Sequence, residues 1–147
     1  NTRVQFSLAA SLERDGQFER AVDVFENLIV REPDNAVALN YLGYMYADSG
    51  IHLEESIGLI GRALEDEPDN GAYLDSYGWA LFRLGRLNEA ESEIRKALVV
   101  LQSDPTIHDH LGDILAALGR KDEAATHWRK ALELEPDSAE IKQKLGL

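Results

Sequence analysis

The chain contains no cysteine, one methionine and four prolines, and its basic residues are few: 15 Lys and Arg stand against 27 Asp and Glu. Each scarcity closes off a class of function. Without cysteine there is no disulfide framework, no thiolate nucleophile and no sulfur-ligated zinc. A formal charge of -12 opposes phosphate backbones and anionic lipid surfaces, which are bound by clustered Lys and Arg. Nucleic acid is therefore not an expected partner. No apolar run approaches the roughly 18 residues of a membrane span, so direct membrane insertion is not expected. No basic segment followed by an apolar one marks the start as a signal peptide. The first residue is Asn1 rather than Met, which leaves open that the sequence is cut from a longer polypeptide.

What is present is a repeat. Gly16, Gly50, Gly85 and Gly119 are spaced 34, 35 and 34 residues apart, and Gly43, Gly78, Gly112 and Gly146 are spaced 35, 34 and 34. Ala9 extends the second set backwards. Small residues Ala21, Ser56, Ala90 and Ala124 follow the first glycines at fixed offset, as do bulky Phe25, Ile60, Ile94 and Trp128. Pro33, Pro68 and Pro136 close three units, with Gln102 in the equivalent place of the third. The one extra residue falls near Ile51 and His52, where a loop absorbs it.

Each unit reads as two helices. Leu74, Tyr77, Gly78 and Leu81 recur at i, i+3, i+4 and i+7, an amphipathic stripe that Gly85 ends. The following helix shows Ala90, Ile94, Ala97 and Leu101 on its inner face, and Asn88 with Glu91 is the expected capping box. "EPDN" at 32–35 and 67–70 and "EPDS" at 135–138 break one unit and cap the next. Asp137 with Glu140 is expected to cap a last helix.

Leu or an aromatic, then Leu-Gly, an aromatic, Ala, an aromatic, Ala and Pro at these positions resemble the tetratricopeptide repeat over nearly the whole chain. Departures are Gln5 and His108 at the bulky fourth position, Leu28 in place of one Ala and Ser56 in place of another. The resemblance implies an all-α, right-handed α-α superhelix forming a single domain over 1–147. Its repeats are expected at about 2–35, 36–70, 71–104 and 105–138, with 139–147 either a capping helix or the start of a fifth unit. It also implies a non-catalytic protein-interaction module.

A second stripe lies on the first helix of each unit, offset from the packing stripe: Phe6 and Ala10; Asn40, Tyr44 and Ala47; Asp75, Trp79 and Phe82; Asp109, Asp113 and Ala116. In the family these positions line the concave groove. The resemblance thus implies a partner-binding surface of Asn40, Tyr44, Asp75, Trp79, Phe82, Asp109 and Asp113, aromatic and acidic, suited to a basic or apolar segment of another protein. Packing between neighbouring first helices is the competing role for the rings. Family members that grip C-terminal carboxylates use Lys, Arg and Asn here; Phe6, Ala10, Tyr44, Asp75 and Trp79 do not reproduce that clamp. The second reading of function is a spacer or self-association segment of a longer array, acting through its terminal faces.

"IHDHLGD", Ile107 to Asp113, has the composition of a metal site. Histidines two residues apart on a helix point to opposite sides, so His108 and His110 cannot share one ion. Pairing His110 or Asp109 with Asp113 leaves a site short of ligands unless another comes from elsewhere. No HExxH, Walker or GxSxG string is present. No metal, cofactor or enzymatic activity is expected. A finer similarity, to the C-terminal repeats of exported bacterial tetratricopeptide proteins, favours a periplasmic or outer-membrane-associated location and leaves the cytoplasm open.

Overall fold

The computed structural model describes residues 1–147 as nine α-helices with no strand. Eight of them form four antiparallel hairpins: α1 (Thr2–Arg14) with α2 (Phe18–Arg31), α3 (Ala36–Ser49) with α4 (Leu53–Asp66), α5 (Gly71–Arg83) with α6 (Leu87–Val100), and α7 (Pro105–Ala117) with α8 (Lys121–Leu134). The short α9 (Ala139–Lys144) closes the C-terminal end. Each hairpin packs on the next through its second helix, giving an all-α right-handed superhelix with a capping helix.

Side chains define where the first helices begin. Asn35 Oδ1 accepts from the Ala38 amide at 3.0 Å, Asn70 Oδ1 from Tyr73 at 3.1 Å, and Asp104 Oδ1 from Thr106 at 2.9 Å. The second helices start differently, and the expected Asn88–Glu91 box does not form. Leu84 ends α5, Gly85 turns the chain at φ +83°, and Arg86 donates its amide to Leu81 O. This closure brings Arg86 itself to the cap position, so α6 begins at Leu87 and Asn88 lies inside its first turn. Glu91 instead pairs with Arg95 and Arg120. The expected Asp137–Glu140 box is also replaced: Ser138 caps α9, accepting from the Ile141 amide.

The two sets of small and bulky residues meet inside the hairpins. A Cβ built on Gly43 would lie 2.5 Å from Ile60, one on Gly78 would lie 2.7 Å from Ile94, and one on Gly112 would strike the Trp128 indole. Glycine is there because the partner side chain occupies the methyl's place. Buried Ala9 and Phe25 belong to one core cluster at the corresponding positions of the first hairpin. Ser56 uses its place differently, donating its hydroxyl to Gly43 O at 2.5 Å and satisfying a buried carbonyl.

Gly58 is the counter-case. It is exposed within α4, and an added Cβ would meet nothing within 4 Å. Gly58→Ala is therefore expected to stabilise the protein by about 0.5–1 kcal/mol, the helix-interior cost of glycine, as a higher urea midpoint with unchanged m-value.

Candidate functional site

The second stripe sits on consecutive first helices, where contacts recur one residue beyond the repeat. Phe6 of α1 packs edge-on against Tyr41 of α3 at 5.4 Å. Asp75 of α5 accepts from His110 Nδ1 of α7 at 2.8 Å. Asp109 of α7 accepts from Lys144 Nζ of α9 at 2.8 Å. Each pair is 35 residues apart, because a side chain on one first helix leans toward the next and meets the position after its own equivalent.

Four of the seven expected groove residues gather about His110, which the sequence reading left without a role. Its ring is 5% exposed and stacks on Trp79 with centroids 4.1 Å apart and planes 17° apart. Trp79 stacks in turn on Phe82 at 5.0 Å, and Tyr44 lies 6.4 Å from the imidazole. Asp75 and Trp79 are each only 8% exposed, whereas Tyr44 and Phe82 are half-buried. Burial opposes the charged form of His110, but the charge and hydrogen bond of Asp75, with Asp109 and Asp113 behind it, outweigh that and raise its pKa. An imidazolium stacked on an indole gains cation–π attraction as well. Burial first, then the charges of Asp48, Asp75, Glu13 and Asp109, push the Tyr44 hydroxyl up, so it remains a donor.

The other two acids are also engaged within the chain. Lys144 Nζ lies 2.8 Å from Asp109 Oδ1 and 2.9 Å from Asp113 Oδ1, and Trp128 Nε1 donates to Asp113 Oδ1 at 3.1 Å. Burial raises the Asp113 pKa, with Lys144 and Trp128 opposing the shift. For Lys144, burial lowers the pKa, and the bonds to Asp109 and Asp113 more than offset it. Lys144 thus holds α9, whose only other deep anchor is buried Ile141. Lys144→Met is expected to speed amide exchange throughout α9 by roughly tenfold, the loss of about 1.4 kcal/mol from a charge-assisted pair; hydrogen exchange with mass detection reads it.

Asn40, the seventh residue, is half-buried on α3, and its Oδ1 is sheltered from water without a hydrogen-bond partner. Trp79 Nε1 on the adjoining α5 is likewise buried and unpaired. A lone acceptor and a lone donor thus lie on neighbouring helices of the same stripe. No set of three or more His, Asp or Glu side chains converges to hold a metal, and no helix is long and apolar enough to cross a membrane.

His108 is at the core edge of α7, with Nε2 2.9 Å from the Gln102 carbonyl and Nδ1 3.1 Å from His127 Nδ1 of α8. The sequence signal for the missed His110 and Lys144 was available. Both follow an acidic stripe position by 35 residues, as Tyr41 follows Phe6.

Comparison with known proteins places this geometry. Three tetratricopeptide repeat families match, over residues 2–45, 52–106 and 105–138. A TPR repeat-containing protein of Pseudomonas aeruginosa is 41% identical over 104 residues, 71% of this chain. Tetratricopeptide repeat protein 13 of Homo sapiens is 27% identical over 118 residues, 78% of this chain. The chain spans only 16% and 14% of these two relatives. Among solved structures, MamA AMB-1 superposes with a TM-score of 0.73 at 25% identity, covering 94% of this chain and 81% of that one. MamA 41-end from Desulfovibrio magneticus RS-1 gives 0.77 at 19% identity, covering 95% and 78%.

Proposed function

The chain belongs to the tetratricopeptide repeat family, and from that premise we propose that it is a non-catalytic scaffold that binds a segment of another protein along the stripe of its first helices. The observation that carries this reading is the pair of partly exposed aromatic rings on the stripe, Tyr44 and Phe82, with the acids Asp48 and Glu13 bearing on Tyr44. These two half-buried rings offer apolar surface to a bound segment.

The surroundings favour a basic or apolar segment. Asp48 and Glu13 bear on Tyr44, and neither forms a salt bridge within 4 Å. By contrast, Asp75, Asp109 and Asp113 are held by His110 and Lys144. Partner contact through these three therefore requires displacing an internal cation, and the binding surface lies toward α1, α3 and α5.

Affinity capture with wild-type, Tyr44→Ala and Phe82→Ala proteins tests the reading. Both variants are expected to bind captured partners at least tenfold more weakly, a loss of about 1.4 kcal/mol or more per aromatic anchor, while remaining folded at the assay temperature with a lowered thermal midpoint. An identical set of partners and affinities for all three proteins overturns it.

A terminal-face role has its own observation. Val4 is 63% and Leu8 48% exposed on α1, although the equivalent Ala38, Ile107, Leu42 and Leu111 are buried beneath a preceding second helix. If the domain works as a spacer or self-associating segment, Val4→Asp and Leu8→Asp abolish concentration-dependent mass in light scattering.

A further inference from the structure

We propose that the cleft between the start of α2 and the turn joining α3 to α4 is a docking site for an arginine-bearing segment of a partner protein. None of its lining residues belongs to the first-helix stripe, so the site stands whether or not a segment binds there. Phe18 and Val22 of α2, Tyr46 of α3 and Ile51 of the turn give the cleft apolar walls, and Glu19, Asp23 and Glu26 line it from α2. Tyr46 is buried, whereas Ile51 is 43% exposed. His52, from the turn that carries the extra residue, is held at φ +49° and sets its ring 5.0 Å from that of Tyr46.

The chain itself shows what this place in the repeat takes. At the later junction of α6 with α8, two arginines fill it. Arg120 Nη1 lies 2.9 Å from Glu91 and its Nη2 2.9 Å from Glu123, while Arg95 pairs with the same two acids at 2.8 and 3.7 Å. The turn bond from Arg120 N to Leu115 O recurs as Ile51 N to Tyr46 O, so Ile51 stands where Arg120 does. Glu26 stands in the place of Arg95, following Phe25 as Arg95 follows Ile94. Glu55 keeps the place of Glu123, ahead of Ile60 as Glu123 is ahead of Trp128. The earlier junction thus lacks both cations, keeps one acid and gains Asp23 and Glu26.

Nothing within the chain replaces those cations. Glu19, Asp23, Glu26 and Glu55 form no salt bridge, and Arg20, beside them on α2, bonds Gln17 instead. Burial raises the Tyr46 pKa, and its hydrogen bond to Glu26, with the charges of Glu26, Glu55 and Asp23, raises it further. Negative potential therefore gathers at the aromatic wall of the cleft. A guanidinium suits it better than an ammonium, because it bonds carboxylates through its planar fork, lies against aromatic faces and is more weakly hydrated. An apolar residue flanking the arginine covers Ile51 and Val22.

NMR titration of the isotope-labelled protein at low ionic strength tests the assignment, with the acetylated and amidated peptide Leu-Arg-Leu-Arg-Leu as probe. A matched peptide with citrulline in place of arginine keeps the shape and removes the charge. The arginine peptide is expected to shift the amides of Glu19, Asp23, Ile51 and Glu55, and the citrulline peptide to bind at least about tenfold more weakly. Asp23→Asn combined with Glu26→Gln, exposed positions at which the new amide still accepts from Tyr46, should lose a similar factor. Glu65→Gln, at an exposed acid near the far end of α4, should bind as the wild type does, and added salt should weaken binding. Absence of shifts, equal binding of the two peptides, wild-type affinity in the double variant, an equal loss in Glu65→Gln, or shifts centred on Tyr44 and Phe82 overturns the site.

Discussion

Gly112→Ala is expected to destabilise the protein by about 3 kcal/mol, from overpacking of a close helix contact and loss of a hydrogen bond. The new methyl would occupy the space of the Trp128 indole, at its Nε1 and Cδ1. An indole cannot fold away as a flexible chain end does, so either the ring leaves its rotamer or α7 and α8 separate. Either movement breaks the Trp128 Nε1 hydrogen bond to Asp113 and disturbs the acid that holds Lys144. Urea unfolding should therefore show a lower midpoint, with faster exchange in α9 as an accompanying effect. Gly112→Ala combined with Trp128→Leu should recover part of the loss, because the two substitutions act on one contact and are not additive. If Gly112→Ala is neutral or stabilising, as Gly58→Ala is expected to be, the close packing of α7 on α8 is not as described.

Asp75→Ala is expected to cost about 3 kcal/mol at pH 5.5, at the lower end of what removing one member of a buried ion pair costs, because His110 can shed its proton in response. The pair joins α5 to α7 under almost complete burial. Its pH dependence follows from the direction of the His110 shift. The folded pKa is raised above an unfolded value of about 6.5. The proton-linked stability is therefore fully present below about pH 6.5 and is lost as pH rises through the folded pKa. Urea titrations of wild type and Asp75→Asn at several pH values should show a stability gap that is largest in mild acid and narrows as the solution becomes basic. A gap that widens with pH contradicts an imidazolium at this position. Trp79 fluorescence offers a second readout, since the indole lies against the titrating ring.

The fold was legible because a solenoid writes its architecture locally. Gly43, Gly78 and Gly112 announce close contacts at a fixed period, and the bulky set that includes Ile60, Ile94 and Trp128 supplies the side chains that require them. The asparagines of the two "EPDN" turns cap α3 and α5 as their side-chain chemistry dictates. Asn88 misled because a capping box can be written in sequence one or two residues from where a turn delivers the helix start. Gly85 and Arg86 complete the reversal so tightly that no residue remains for Asn88 to cap.

The stripe was legible as positions but not as chemistry. Asn40, Tyr44, Asp75, Trp79, Phe82, Asp109 and Asp113 lie along consecutive first helices, yet their partners come from other repeats. His110 takes up Asp75 and stacks on Trp79; Lys144 neutralises Asp109 and Asp113. "IHDHLGD" divides in the same way. His110 faces α5, and His108 faces α8, where it finds His127 at a separation of 19 residues.

By itself the sequence determined the helices, their pairing and the family, because period, apolar stripes and cap residues act over a few turns of chain. Only the tertiary structure decided which charges are spent inside the molecule and which polar atoms stay unpaired. Those outcomes depend on distances of a few ångströms between residues some 20 to 35 positions apart, and a linear pattern carries no such distances.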